Sequence, residues 1–312
     1  MSLTTTTTPP VSDRPLSKNA KKTWAYAFVI ALVIIAALAF VNHQYSGQTV
    51  VGLHIWQLIV LGAILTFSGL MSGLSGFGFS AVGSACLLIL DPKLGVPLLA
   101  ALSTANQLMS LGQLKEDMPK TWKEAWPAGS GPYILGGVVG VPLGIWLLNN
   151  LPKEGLMFVF GTILTLYSLY SIFKPGGLAF RGGNGAAPGI AVGFIGGTVG
   201  GFTAFPGAAV VVWTGLKALP KRLTRSIVQP YILVLQVVSL GVNAYQHPKI
   251  FSHMFWVLLM IMVPIVIPGT IAGVYLYRRL SDVNFRRISF FLLGLSGFGL
   301  LVKVIPVLFF HK

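Results

Sequence analysis

The chain alternates long apolar blocks with short polar ones. Residues 24–41, 94–114, 127–148, 156–173, 251–277 and 285–309 are apolar runs close to or beyond the roughly 20 residues a helix needs to cross hydrocarbon. Two further stretches do not fit a single crossing. Residues 55–90 would make one helix of ~54 Å at 1.5 Å per residue, against ~30 Å of hydrocarbon, so they must form two segments. Glycine supplies the interruption. Five glycines stand from Gly69 to Gly83, and six from Gly193 to Gly207 break residues 188–216 in the same way. A broken helix frees backbone N–H and C=O groups that hydrocarbon cannot satisfy, so something polar must meet each break.

The two glycine crowds also mark a duplication. Gly69, Gly73 and Gly76 recur as Gly193, Gly197 and Gly200, 124 residues on, while Gly140, Gly144 and Leu151 recur as Gly269, Gly273 and Leu280, 129 residues on. Residues 55–174 and 188–309 therefore read as two homologous halves joined by the glycine-rich linker 175–187. Ahead of them stand a disordered basic cytoplasmic tail, residues 1–23, and an additional N-terminal transmembrane helix, residues 24–43. Its long polar lead argues for an uncleaved anchor rather than a signal peptide. Residues 115–126, polar with Trp122 and Trp126, suit a segment lying at the lipid–water boundary.

Basic residues orient these segments. If each glycine-broken region passes twice or turns back as a hairpin, 17 Lys and Arg fall inside and 5 outside; single crossings give 14 and 8. The first arrangement obeys the positive-inside rule better and gives each half an odd number of passes. The expected fold class is thus an all-α polytopic membrane protein with the N-terminus in the cytoplasm. Its two halves are inverted repeats, and their glycine-broken or re-entrant helices meet at the centre, where secondary transporters bind their cargo.

Composition supports the membrane assignment. Charged residues are 9% of 312, against about 25% in a soluble domain. The 22 Lys and Arg against seven Asp and Glu lie between apolar blocks, so they point to the bilayer and not to nucleic acid, and they favour an anionic ligand. The acids Asp13, Asp91, Glu116, Asp117, Glu124, Glu154 and Asp282, and the histidines His43, His54, His247, His253 and His311, all stand in loops or at segment ends. Proton and sodium pumps usually keep a carboxylate inside the membrane. No metal site, cofactor or catalytic acid–base pair can be assembled from these positions. Cys86 is the single cysteine, which excludes an intrachain disulfide and a Cys-x-x-Cys redox pair and suits packing inside an apolar helix.

What the apolar zone offers a ligand is uncharged. The candidate substrate site comprises Gly73, Ser75, Gly76, Gly78, Ser80 and Gln107 of the first half with Gly197, Thr198, Gly200, Gly201, Thr203 and Gln229 of the second. Backbone N–H groups at the start of a half-helix carry about half a positive charge and can hold a small anion without a lysine. Ser103, Thr104, Asn106 and Gln236 add hydrogen-bonding groups on the following helices. The alternative for any of these glycines is close helix packing, preferred for Gly140, Gly144, Gly269 and Gly273, and a glutamine can simply bond a neighbouring helix. An enzyme reading also exists. Gly73-Leu74-Ser75-Gly76 resembles the Gly-x-Ser-Gly motif of rhomboid intramembrane serine proteases, with Ser75 as nucleophile, but the downstream histidines lie at segment ends.

The duplicated Gly-x-x-x-Gly-x-x-Gly block, the helix carrying Ser103-Thr104 after the Asp91-Pro92 turn, and the Gly140-x-x-x-Gly144 helix ending at Leu151-Pro152 resemble the TauE/SafE family of sulfite and organosulfur-anion exporters. The likeness covers roughly residues 56–306. Phe77, Phe79, Phe202 and Phe205 stand where the family's blocks commonly carry more glycine. The resemblance implies secondary transport of a small sulfur-containing anion across a bacterial inner membrane, with the anion and the lipid bilayer as partners and a homodimer compatible with it.

Overall fold

The computed structural model describes residues 49–113, 129–150 and 185–310, apart from 51, 91 and 204, with isolated positions between 155 and 173. The basic tail, the additional N-terminal helix, the boundary segment 115–126 and the linker up to residue 184 lie outside the described residues. A short antiparallel ladder, Thr49–Val50 with Leu53–His54, leads into the first helix. The helices of the first half are α1 (Ile55–Ser75), α2 (Phe79–Gly83), a 3-10 turn (Ser84–Leu88), α3 (Pro92–Gln113) and α4 (Gly131–Asn150). Those of the second are α5 (Ala186–Thr203), α6 (Gly207–Leu216), α7 (Lys221–Gln246), α8 (His253–Arg279) and α9 (Asp282–Phe310).

Five of the described helices are long and apolar enough to cross a membrane: Ile55–Ser75, Leu94–Gly112, Lys221–Gln246, His253–Arg279 and Asp282–Pro306. Large apolar side chains such as Phe67, Trp146, Met260 and Phe298 face outward, as lipid contact requires. The 55–90 run is divided as its length demands. At Gly76 the backbone turns left-handed, φ 88°, and its N–H closes on Ser72 O at 2.6 Å, a helix end that glycine reaches without strain. The chain then folds back, and Phe79, Cys86 and Leu90 join Leu58, Leu61 and Leu65 in one apolar cluster. The second crowd breaks between Thr203 and Gly207, where α5 gives way to α6.

Helix pairing follows from the remaining glycines. A Cβ built on Gly69 would stand 2.8 Å from Val266 O, and one on Gly269 or Gly273 would overlap the carbonyls of Thr66 or Leu70, so α1 and α8 pack in parallel with their backbones touching. The same arrangement joins α4 to α5. Cβ atoms on Gly136, Gly140 and Gly144 would overlap the carbonyls of Ile190, Phe194 and Thr198 in turn, and one on Gly201 would lie 2.6 Å from Val141 O. Lipid gives no hydrophobic drive to helix association, so backbone approach through small residues is what holds such pairs. Each pair links the opening helix of one half to the Gly-x-x-x-Gly helix of the other.

Two apolar clusters result. One gathers α1, α3 and α8 around Leu61, Leu102 and Met262; the other gathers α4, α6, α7 and α9 around Val141, Val211, Tyr231 and Leu293. They meet where α3 packs against α7. At one end of the molecule the start of α7 is tied to the start of α9 by Lys221 N donating to Asp282 Oδ1 at 3.0 Å. The Lys221 ammonium also reaches Leu280 O beyond the end of α8.

Candidate functional site

The α3–α7 contact is polar in an otherwise apolar interior. On α3, Ser103, Gln107 and Ser110 stand at positions i, i+4 and i+7; on α7, Arg225, Gln229 and Gln236 stand at i, i+4 and i+11. Both spacings put three side chains on one helix face. The helices run antiparallel, and the faces bond in matching order. Gln236 Nε2 donates to Ser103 Oγ at 2.6 Å. Gln229 Nε2 donates to Gln107 Oε1 at 3.1 Å and to Ser110 Oγ at 2.8 Å. Arg225 Nη2 donates to Ser110 Oγ at 2.9 Å. Beside this ladder, Asn106 Nδ2 donates to Ser72 Oγ at 2.7 Å and Thr270 donates to Asn106 Oδ1.

One end of the ladder grips the first helix break. Gln107 Nε2 donates to Gly76 O at 2.9 Å. Arg225 Nη2 donates to Gly73 O at 2.6 Å and Nη1 to Leu74 O at 3.4 Å. The last carbonyls of a helix have no intrahelical donor and carry partial negative charge, so a cation there is favoured. The freed amides are met locally, since Phe77 N and Gly78 N point at Ser75 Oγ at 3.4 and 3.0 Å. Arg225 is fully enclosed, at 0% exposure, and its guanidinium lies 4.2 Å from the Tyr277 ring centroid.

The other end reaches the second break. Gly200, Pro206, Gln236, Ser239 and Ala100 surround a cavity of about 10 Å³, room for about one water molecule. Gln236 is 2% exposed, and its Oε1 has no hydrogen-bond partner. A second cavity of about 10 Å³ lies beside Asn106 and Thr270. Between the breaks the rings of Phe77 and Phe205 stack, 6.1 Å between centroids at 21°, so the two glycine crowds do face each other.

Gly73, Ser75, Gly76, Gly78, Gln107 and Gln229 are brought together at the first break. Ser80 is buried in α2 but outside the bonded cluster. Gly200 lines the cavity at the second break. Gly197, Thr198 and Gly201 lie apart from both: they face the α4 backbone, where the close pairing of α5 needs them, and the Thr198 hydroxyl donates to Phe194 O at 3.0 Å. Thr203 ends α5, and its side chain lies outside the described residues. The sequence pattern does not single out Arg225, which enters it only within the tally of Lys and Arg, nor Ser110, Thr270 and Tyr277. The i, i+4, i+11 register of Arg225, Gln229 and Gln236 was the signal that could have found the arginine.

The protease reading finds no support. The Ser75 hydroxyl donates to Met71 O at 2.8 Å, as a helical serine does. Among the described histidines, His54 caps the far end of α1, ~30 Å away at helical rise, and His247 and His253 lie beyond the distal end of α7.

Spans of this length and apolarity, with helices broken at Gly76 and ahead of Gly207 and a buried polar seam between them, define a multi-pass membrane protein built like a transporter. The model of the family Sulfite exporter TauE/SafE matches residues 58–300, and the chain belongs to that family. No curated protein matches the chain, and no solved structure does.

Proposed function

We propose that this protein is a secondary transporter that carries a small sulfur-containing oxyanion, sulfite or a sulfonate, across the bacterial inner membrane. The polar ladder between α3 and α7 carries the reading. Gln229 and Gln236 are seven residues apart, about 10 Å at helical rise, and the ladder they belong to links the first helix break to the second through an apolar interior. Its members are neutral or cationic, and they present donors: the amides of Gln107, Gln229 and Gln236 and the hydroxyl of Ser110. Beyond the second break, α6 begins at Gly207, and the first amides of a helix lack intrahelical partners and favour an anion. The candidate residues Gly73, Ser75, Gly76, Gly78, Gly200, Gln107 and Gln229 then serve as backbone and side-chain contacts along this route.

The two cavities beside the ladder, about 10 Å³ each, do not admit a three-oxygen anion, so passage along this route requires the two breaks to part. The halves are read as inverted repeats, which suits alternating access by rocking one against the other. Support comes from the helices themselves: α3 and α7 hold equivalent places in the two halves and run antiparallel, as an axis across the bundle demands.

Addition of sulfite or a small sulfonate is expected to raise the unfolding temperature of the purified protein, as any ligand that binds only the native state must. Proteoliposomes should release the same anion. A screen in which no sulfur oxyanion shifts the transition or is released would end this reading. The orientation has its own check. Cys86 is 1% exposed and should not label, so cysteines placed at Lys115 and Arg181 should react only with a reagent on the cytoplasmic side. Labelling from the outer face would overturn both the N-terminus-inside orientation and the inverted halves.

A further inference from the structure

We propose that the anion carried along this route also bears a hydroxyl, as singly protonated sulfite or a hydroxylated sulfonate does, and that the amide oxygens of Gln229 and Gln236 accept a hydrogen bond from it. This rests on the transport reading and narrows its substrate class.

The orientation of the Gln229 amide is set from the backbone. Gly76 O can only accept, so Gln107 turns Nε2 toward it at 2.9 Å and presents Oε1 to α7. Gln229 answers with Nε2, which lies 3.1 Å from that oxygen and 2.8 Å from Ser110 Oγ, so both of its N–H bonds are engaged. Its own Oε1 has no donor, in a side chain that is 0% exposed. Gln236 stands seven residues further on the same helix face and repeats the arrangement. Its Nε2 donates to Ser103 Oγ, and its Oε1 is unpaired in a side chain that lines the cavity formed with Gly200, Pro206 and Ser239. That cavity, about 10 Å³, has room for one water-sized group, the size of a hydroxyl.

Bridging α7 to α3 accounts for the nitrogen of each glutamine and not for its oxygen. A buried acceptor without a donor is destabilising, because it gives up its bonds to water and makes none in exchange, and native structures hold few of them. Two on one face of one helix, both within the ladder that joins the breaks, call for a donor that arrives with the ligand. A fully ionised oxyanion offers acceptors alone and would meet each amide oxygen with like partial charge. A hydroxyl beside the charged oxygens supplies what is missing. When α3 and α7 part, each glutamine amide has an N–H edge for an anionic oxygen and a C=O edge for the hydroxyl. Sites built to hydrogen-bond a substrate hydroxyl reject the analogue that lacks it by orders of magnitude, because their polar groups are then left unpaired.

Isethionate and propanesulfonate are the matched probes, equal in charge and in heavy atoms, with a hydroxyl in one where the other has a methyl. Each would be titrated into the purified protein at equal ionic strength, beside sodium sulfite, with unfolding temperature as readout. Isethionate is expected to bind at least tenfold more tightly than propanesulfonate. The double variant Gln229→Met with Gln236→Met keeps side-chain length and removes both oxygens, and it should bring the two ligands within threefold of each other. A purely structural role for the glutamines would weaken both ligands alike and preserve their ratio, and that result overturns the proposal. So does a wild-type ratio within threefold, or a protein that binds sulfite and not isethionate; in each of these cases the transport reading stands. Should the double variant fail to accumulate or bind neither sulfonate, the wild-type ratio decides. A protein that binds no sulfur oxyanion at all defeats the transport reading and this inference together.

Discussion

Replacing Gly144 with alanine is expected to prevent stable assembly, although the change adds a single methyl group. The new Cβ would overlap the carbonyl oxygen of Thr198 and stand 3.0 Å from the Gly201 Cα, so α4 and α5 would have to separate along the seam where their backbones touch. Both obstacles are main chain, and no rotamer change relieves them. Effects above about 4 kcal/mol are rare for one substitution and come from mechanisms of this kind. Unfolding of the purified variant in mixed detergent micelles, or its failure to accumulate, measures the outcome. Gly112→Ala and Gly241→Ala are the controls, since a Cβ at either meets nothing within 4 Å, and helix propensity alone favours alanine by about 1 kcal/mol. Equal stability of Gly144→Ala and these controls would show that backbone contact between α4 and α5 does not hold the halves together.

The second large effect is expected at the aromatic pair between the breaks. Phe77 and Phe205 are 2% and 4% exposed, each belongs to one glycine crowd, and their rings stack on each other where the two breaks meet. A stacked pair contributes roughly 0.5–1.5 kcal/mol beyond the burial of its rings, little enough to be broken once in every transport cycle. Phe77→Ala should therefore raise passive sulfite leak from loaded proteoliposomes at least tenfold. The cavity left in the core costs about 3–5 kcal/mol of stability, so leak is read well below the unfolding temperature. A variant as tight as wild type would place the barrier elsewhere.

Much of this architecture was legible from the pattern of residues. A 36-residue apolar run exceeds the bilayer by simple length, and the break falls at Gly76, inside the glycine crowd. The pairing glycines Gly140, Gly144, Gly269 and Gly273 were recognisable because four-residue spacing on a plain helix has one obvious use. The same spacing did not disclose that Gly197 and Gly201 also pack against a helix. They lie in a crowd that does break the helix, yet they sit before the break, on the face that meets α4, and glycine spacing within one helix does not reveal which neighbour it faces. Arg225 was hidden for a different reason. Four basic residues between 217 and 225 count as one cytoplasmic cluster in a charge tally, and only the helical register of α7 separates the buried member from Lys221 and Arg222. The binding chemistry expected at the first break also changed in character. Sequence suggested free amides, but α1 ends there, so carbonyls are what the break presents to α7 and α3.

The reciprocal pairing of α1 with α8 and of α4 with α5 has a consequence for biosynthesis. Residue 75 ends α1 and residue 253 begins its partner, so α1 waits for some 180 residues to be translated, roughly 9–36 s at 5–20 residues per second. Until then the carbonyls of Thr66 and Leu70 and the bare backbone of Gly69 and Gly73 face lipid or the insertion machinery. A nascent chain stalled before α8 would hold an unpaired glycine face ready for a wrong partner, and quality-control proteases would meet it there first.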